Sequence, residues 1–207
     1  MAARRLPMFP LERVLVPYDR LPLHIFEPRY REMIKQCMAG DAEFGVVLIE
    51  RGREVGGGDQ RFSVGTLARI VDAVELADGR WVLEAVGVER LAVERWLEDD
   101  PYPCAEIVAL EDEEPQADLE TLRLEMEQLL MRTFALRAEL GGVALPTEFE
   151  LSDDPVVAAY HAAIVSGLGP IDVQTVLEAS GPEARLQLMA TLLDDQVDML
   201  SRQLAQG

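Results

Sequence analysis

Residues 21–34 read LPLHIFEPRYREMI, a short apolar run that passes into a helix at Pro28. Proline suits the first turn of a helix, where its missing N–H has no partner to lose. Tyr30, Met33, Ile34, Cys37 and Met38 then recur at spacings of three and four, which predicts one apolar face. Gly40 is a natural terminator.

Working outward from this junction, the flanking residues read as strands. PMFPLERVLVP is an extended segment, and Pro7, Pro10 and Pro17 favour an extended or edge role over a central one. FGVVLIE (44–50) is a buried strand, and RGREVGGGDQ (51–60) is a flexible glycine-rich loop. Residues 62–76 form one long strand, bent at Gly65. Asp78-Gly79 signals a hairpin turn. WVLEAVGVERLAVERWL gives a strand, a turn or bulge around Gly87, and another strand, and YPCAEIVALE closes the series. Five to seven short strands with tight turns predict a curled sheet or small barrel.

The pattern changes at EDEEPQA (111–117), after which it is helical. In residues 118–140, Leu119, Leu122, Met126, Leu129, Leu130, Thr133 and Leu140 make an amphipathic stripe that Gly141-Gly142 stops. A second helix starts at Asp154-Pro155, with Asp154 as N-cap and Val156, Val157, Tyr160, Ile164 and Leu168 on its apolar side. A short helix follows Pro170. The last helix begins after a capping-box pattern, Ser180 with Glu183. Leu186, Met189, Leu193, Val197, Leu200 and Leu204 recur along it at helical spacing. The stripe suits packing within a small bundle, with a coiled-coil contact to a partner as the alternative. The expected organisation is α+β: a β-rich domain over 1–116 and a helical domain over 117–207.

Composition limits the function classes. The chain has 207 residues, 49% apolar and 28% charged, which is enough for a core and a soluble surface. It lacks the long apolar run of a membrane span and the apolar stretch of a secretory signal, so a cytoplasmic setting is the expectation. Aspartate and glutamate number 38 against 19 basic residues, a net charge of −19, which repels phosphate backbones on average. The balance is uneven: residues 1–35 hold seven basic and four acidic residues, and residues 94–127 hold two and thirteen. Two cysteines, Cys37 and Cys104, read as buried thiols or a disulfide. Two histidines, His24 and His161, are too few for a His-rich metal centre, and no cofactor is implied.

The blocks LPMFPL, LPLHIFEPRYREMI, EFGVVLIERGREVG, VGTLARI, DGRWVLEAVGVERLAV and YPCAEIVAL, in that order, resemble the amino-terminal substrate-binding domain of the Lon proteases. LEA at 177–179 and RLQLMATLL at 185–193 are similar to that family's late helical region. The resemblance implies a PUA-like pseudo-barrel followed by a helical bundle, a stand-alone bacterial member, and recognition of proteins without chemistry. Partners would be unfolded protein, a peptide or a dedicated protein.

The residues offer little chemistry of their own. No GxxxxGK[ST] phosphate cradle occurs. A Lon-type Ser–Lys pair would need Lys35, the one lysine, and no serine sits in the family's protease motif. A Cys–His pair has no spacing support. Asp99-Asp100 and the acidic residues 111–114 are solvated loop charges or weak divalent-cation ligands. An RNA-binding reading would use Arg4, Arg5, Arg13, Arg20, Arg29, Arg31 and Lys35, with Trp81, Trp96 or Tyr18 stacking on bases. An enzyme acting on a small molecule through an unrecognised site is a third class. The leading site is a peptide groove or its supporting wall, made by Leu21, Leu23, Ile25, Phe26, Arg29 and Tyr30. Core packing is the competing reading for the apolar members, and an internal salt bridge for Arg29.

Overall fold

The computed structural model describes residues 3–51, 60–142 and 151–206. The chain divides into two compact units, Met1–Glu111 and Asp112–Gly207. Most of the glycine-rich loop predicted over 51–60 lies outside the described residues.

The first unit contains β1 (Arg4–Leu11), β2 (Arg20–Ile25), α1 (Pro28–Ala39), β3 (Glu43–Arg51), β4 (Gln60–Glu75), β5 (Trp81–Trp96) and β6 (Cys104–Ala109). The six strands form one mixed sheet in the order β2-β5-β4-β3-β1-β6, and a further β5–β6 pairing makes it ring-like. It is not a true barrel. β1 uses residues 4–7 against β6 and residues 8–11 against β3, so each half faces one partner strand. Of the extended or edge role that the prolines favour, β1 takes the extended conformation but lies inside the sheet order. The split pairing explains how Pro7 and Pro10 are tolerated there, because neither has to serve two ladders.

Period-two alternation sorts the side chains onto two faces. Phe9, Leu11, Phe44, Val46, Ala68, Ile70, Leu83 and Ala85 share one buried cluster with Tyr30, Met33, Ile34 and Cys37 of α1. Leu6, Met8, Val47, Leu67, Leu91, Ala105 and Ile107 form a second cluster on the other face. Phe9 stands edge-on to Tyr30 with ring centroids 4.4 Å apart. The predicted face of α1 holds except at Met38, which is exposed at the helix end.

Of the turn or bulge expected around Gly87, the bulge forms, and β5 runs through it as one continuous strand. Leu67 pairs with Glu89 and Ala68 with Gly87, leaving Val88 as the extra residue of a bulge. The extra residue reverses the alternation, so Leu83 and Ala85 face one cluster and Leu91 the other. A second register shift between Ile70 and Asp72 does the same in β4 at Val71. The Asp78-Gly79 turn forms as predicted: Leu76 N–H donates to Arg80 O at 2.8 Å, and Gly79 adopts φ +78.

The second unit contains α2 (Leu119–Glu139), α3 (Pro155–Val165), α4 (Pro170–Glu178) and α5 (Pro182–Leu204). Met126 and Leu130 of α2, the alanines of α3, Val176 of α4, and Leu186, Met189 and Leu193 of α5 share its core. Asp154 caps α3 as expected, accepting from Val156 N–H at 2.9 Å. The buried face of α3 differs from the prediction. Ala158, Ala159, Ala162 and Ala163 are buried with Tyr160, while Ile164 is exposed. Small side chains let α3 approach its neighbours closely, and the larger valines lie at the margins. Leu140 is likewise exposed, beyond the end of α2.

The predicted Ser180–Glu183 capping box does not form. Gly181 is the N-cap of α5 and supplies no side chain. Glu183 instead accepts from the backbone N–H groups of Gln116 and Ala117 at 2.7 and 2.9 Å. Asp112 accepts from Arg185 Nη2 at 2.7 Å, and Glu113 N–H donates to Ser180 O at 2.9 Å. Residues 112–117 are thereby laced to the start of α5.

Candidate polypeptide-recognition site

The β2–α1 junction is built from both faces of the sheet. Leu21 and Ile25 of β2 point into the buried cluster beside Tyr30, and Leu23 is half-buried against the same cluster. Leu21, Ile25 and Tyr30 are thus core residues, the competing reading for them, and Leu23 packs against that core. Phe26, in the turn between β2 and α1, is 54% exposed. Arg29 lies over the Tyr30 ring at 4.5 Å and donates to Glu27 at 3.1 Å, which is the internal pairing foreseen for it. The six predicted residues therefore divide into four buried or half-buried in the core, one paired cation and one exposed aromatic.

Sequence reasoning missed the surface around that aromatic. Val74, Val82 and His24 are successive cross-strand partners on β4, β5 and β2. Val74 is 53% exposed and Val82 47% exposed, and His24 is also exposed. The His24 ring lies 6.4 Å from Phe26. Together they make an apolar row on the face opposite α1. The Val71 bulge creates it, because the reversal turns Ala73 inward and Val74 outward. The next row holds Asp72, Glu84 and Pro22. β2 stands at the end of the strand order, and among the described residues it pairs with β5 alone.

Five of the seven basic residues in the predicted nucleic-acid patch hold carboxylates. Arg4 pairs with Glu43, Arg13 with Asp19, Arg20 with Glu84, Arg29 with Glu27 and Lys35 with Glu75. Glu43 shows what such pairing does. Partial burial disfavours its charge, but hydrogen bonds from Arg4 and Arg69 outweigh this and hold the carboxyl below its ordinary range. Trp81 packs against the core, and Trp96 lies under the Arg61 guanidinium at 4.6 Å. Tyr18 is the exposed one of the three predicted stacking residues.

The candidate nucleophiles are poorly placed for chemistry. Cys37 and Cys104 are buried free thiols. Burial first, and then the neighbouring Cys104, push the Cys37 thiol up to about 12, so it stays protonated at neutral pH. Lys35 reaches Glu75 at 3.7 Å, Asp99 binds Arg61 at 2.6 Å, and Asp112 binds Arg185. Among the described residues no group of three or more His, Cys, Asp or Glu side chains is placed to hold a metal ion, and no helix is long and apolar enough to cross a membrane.

Residues 5–195 match the family model of the ATP-dependent protease La (LON) substrate-binding domain. The chain belongs to this Lon family. Lon protease 2 of Myxococcus xanthus is 28% identical over 200 residues, which cover 94% of this chain and 24% of that protein. Lon protease of Anaeromyxobacter dehalogenans is equally similar over the same shares. The chain thus spans about a quarter of the length of these relatives. The Lon N-terminal domain protein from Xanthomonas campestris superposes with a TM-score of 0.67 at 26% identity, covering 91% of this chain and 98% of that one. The N-terminal domain of Mycobacterium avium complex Lon protease superposes with a TM-score of 0.66 at 17% identity, a likeness of fold. The Lon match is to the family's substrate-binding region, not to a protease active-site domain.

Proposed function

We propose that the first unit recognises exposed apolar segments of other proteins, unfolded chains or a dedicated partner, through its outer face. The observation that carries this reading is the row Val74–Val82–His24 with Phe26 at its end. Four adjoining apolar or aromatic side chains stand on a sheet face that water would otherwise reach, a common mark of an interaction surface. Leu21, Leu23, Ile25 and Tyr30 act as the wall that fixes the strand and helix beneath it. The ring-like sheet with α1 on one face also supports the PUA-like pseudo-barrel reading of this unit. RNA is the weaker alternative, because the arginines it would need are engaged with carboxylates and the chain's net charge opposes phosphate.

The test is binding of fluorescein-labelled, reduced and alkylated lactalbumin, a permanently unfolded protein, measured by anisotropy. Replacing Phe26 by Ser together with Val82 by Thr removes most of the exposed apolar area while leaving the buried wall untouched. A loss of affinity of about tenfold or more is expected, since burying each side chain contributes on the order of 1–2 kcal/mol. Wild-type affinity in a double variant that still unfolds cooperatively would overturn the reading.

A further inference from the structure

The open margin of β2 suggests how such a segment is held, an inference that rests on the recognition reading above. β2 pairs with β5 on one side, and among the described residues no strand pairs with its other side, where an edge strand leaves main-chain groups without ladder partners, Pro22 having a C=O but no N–H. Two rows of side chains run out to this margin. The outer row is Val74, Val82, His24, and the inner row is Ala73, Leu83, Leu23, each a chain of cross-strand partners. Leu23 is left half-buried at the margin and His24 exposed, so both rows end in a side chain with apolar surface to cover. A strand added about 4.8 Å beyond β2 would supply one residue to each row.

Charge selects the neighbouring position. The next outer row is Asp72, Glu84, Pro22, with two carboxylates directly opposite each other. One of them, Glu84, already holds Arg20, whose side chain is 75% exposed. Pro22 is short, so a lysine or arginine beside it on an added strand could extend over it toward these carboxylates. The net charge of −19 favours the same sign at a distance.

We propose that the free edge of β2 takes up an extended segment of a partner polypeptide as an added strand, apolar beside Leu23 and His24 and basic beside Pro22. Main-chain hydrogen bonds would give affinity without demanding a particular sequence, and the two rows would give preference.

The probe is a labelled nonapeptide, Thr-Thr-Lys-Val-Leu-Val-Lys-Thr-Thr, which presents the same pattern in either strand direction. It is compared with two versions N-methylated on alternate amides and one with glutamate in place of lysine, all against the full chain. Strand addition predicts that one methylated set binds about tenfold or more weakly and the other within about threefold, because only one set of amides faces the ladder. It also predicts that the glutamate peptide binds at least about fivefold more weakly at low salt. Equal effects of the two methylated sets, or no binding of the parent peptide, overturn strand addition. A glutamate peptide that binds as well as the lysine one overturns the basic position. If these fail while the Phe26→Ser, Val82→Thr variant still loses unfolded lactalbumin, recognition at the outer face stands without strand addition. If that variant also binds normally, both fall.

Discussion

The two units handle charge and packing differently. The first carries 20 acidic and 14 basic residues, the second 18 and five. In the first, strand neighbours bring arginines and carboxylates face to face: Arg69 onto Glu43, Arg95 onto Glu106, Arg20 onto Glu84. Its glycines let backbones touch. A methyl group on Gly65 would sit 2.2 Å from Val46 O, and one on Gly87 2.2 Å from Val16 O. In the second unit the close approach comes from the buried alanines of α3, and two of its five arginines, Arg123 and Arg185, are buried. Arg123 bridges Glu120 and Glu127 along α2, while Arg185 is fully buried over the Tyr160 ring. The sheet therefore depends on backbone geometry at particular glycines, and the bundle on side-chain volume and one fully buried cation, Arg185.

The sharpest way to break this comparison is Gly65→Ala. The atom in the way is a backbone carbonyl that cannot swing aside, so the β3–β4 ladder must shift. A loss on the order of 3 kcal/mol is expected. Both tryptophans, Trp81 and Trp96, lie in the first unit, so their fluorescence follows its unfolding, while helical dichroism weights the second. The fluorescence transition should move to lower denaturant by itself. Movement of both transitions together would show that the units unfold as one, and no movement would show that the ladder relaxes freely.

The matching change in the second unit is Arg185→Ala beside Arg185→Met. Arg185 donates to Asp112, but its Nε and Nη1 are buried with no hydrogen-bond partner. Asp112 keeps about a third of its side-chain surface exposed, so it can be hydrated when the pair is lost. Methionine retains most of the buried stem and removes the unsatisfied donors. It should cost under about 1 kcal/mol, whereas alanine leaves a cavity and should cost about 3 kcal/mol. Equal losses would mean that the charge, rather than the volume, holds residues 112–117 to α5. Dichroism at increasing denaturant separates these outcomes.

Which features could be read from the sequence follows from how local they are. The α1 face, the Asp78-Gly79 turn and the Asp154 cap each depend on a few consecutive residues, and each formed. The Ser180–Glu183 pattern is local too, yet Glu183 turns to Gln116 and Ala117, more than sixty residues away, and Gly181 takes the cap. Alanines carry no strong periodic signal, so the buried face of α3 was misread in favour of its valines and Ile164. The candidate site divides the same way. LPLHIFEPRY marks the strand-to-helix junction, but burial of Leu21, Ile25 and Tyr30 against exposure of Phe26 depends on packing around the strand end. Val74 and Val82 could not be singled out, because their outward direction depends on the Val71 bulge and on strand partners distant in sequence.

The smallest expected effect concerns the ion pairs of the first unit, and pH gives it a sign. Arg4 and Arg69 reach Glu43 at 2.7 and 2.8 Å and lower its carboxyl from the ordinary value of 4.5. A carboxyl depressed on folding contributes stability at pH values above its unfolded value, and that contribution is lost as pH falls through the folded value. Glu43→Gln should therefore cost about 1 kcal/mol near neutral pH, with the difference from wild type shrinking steadily below about pH 4.5. Both arginines are well exposed, so added salt should reduce the same difference. A gap that persists unchanged at acid pH would mean that Glu43 serves by packing against β1 and β4, and that the paired charges of the sheet add to solubility rather than stability.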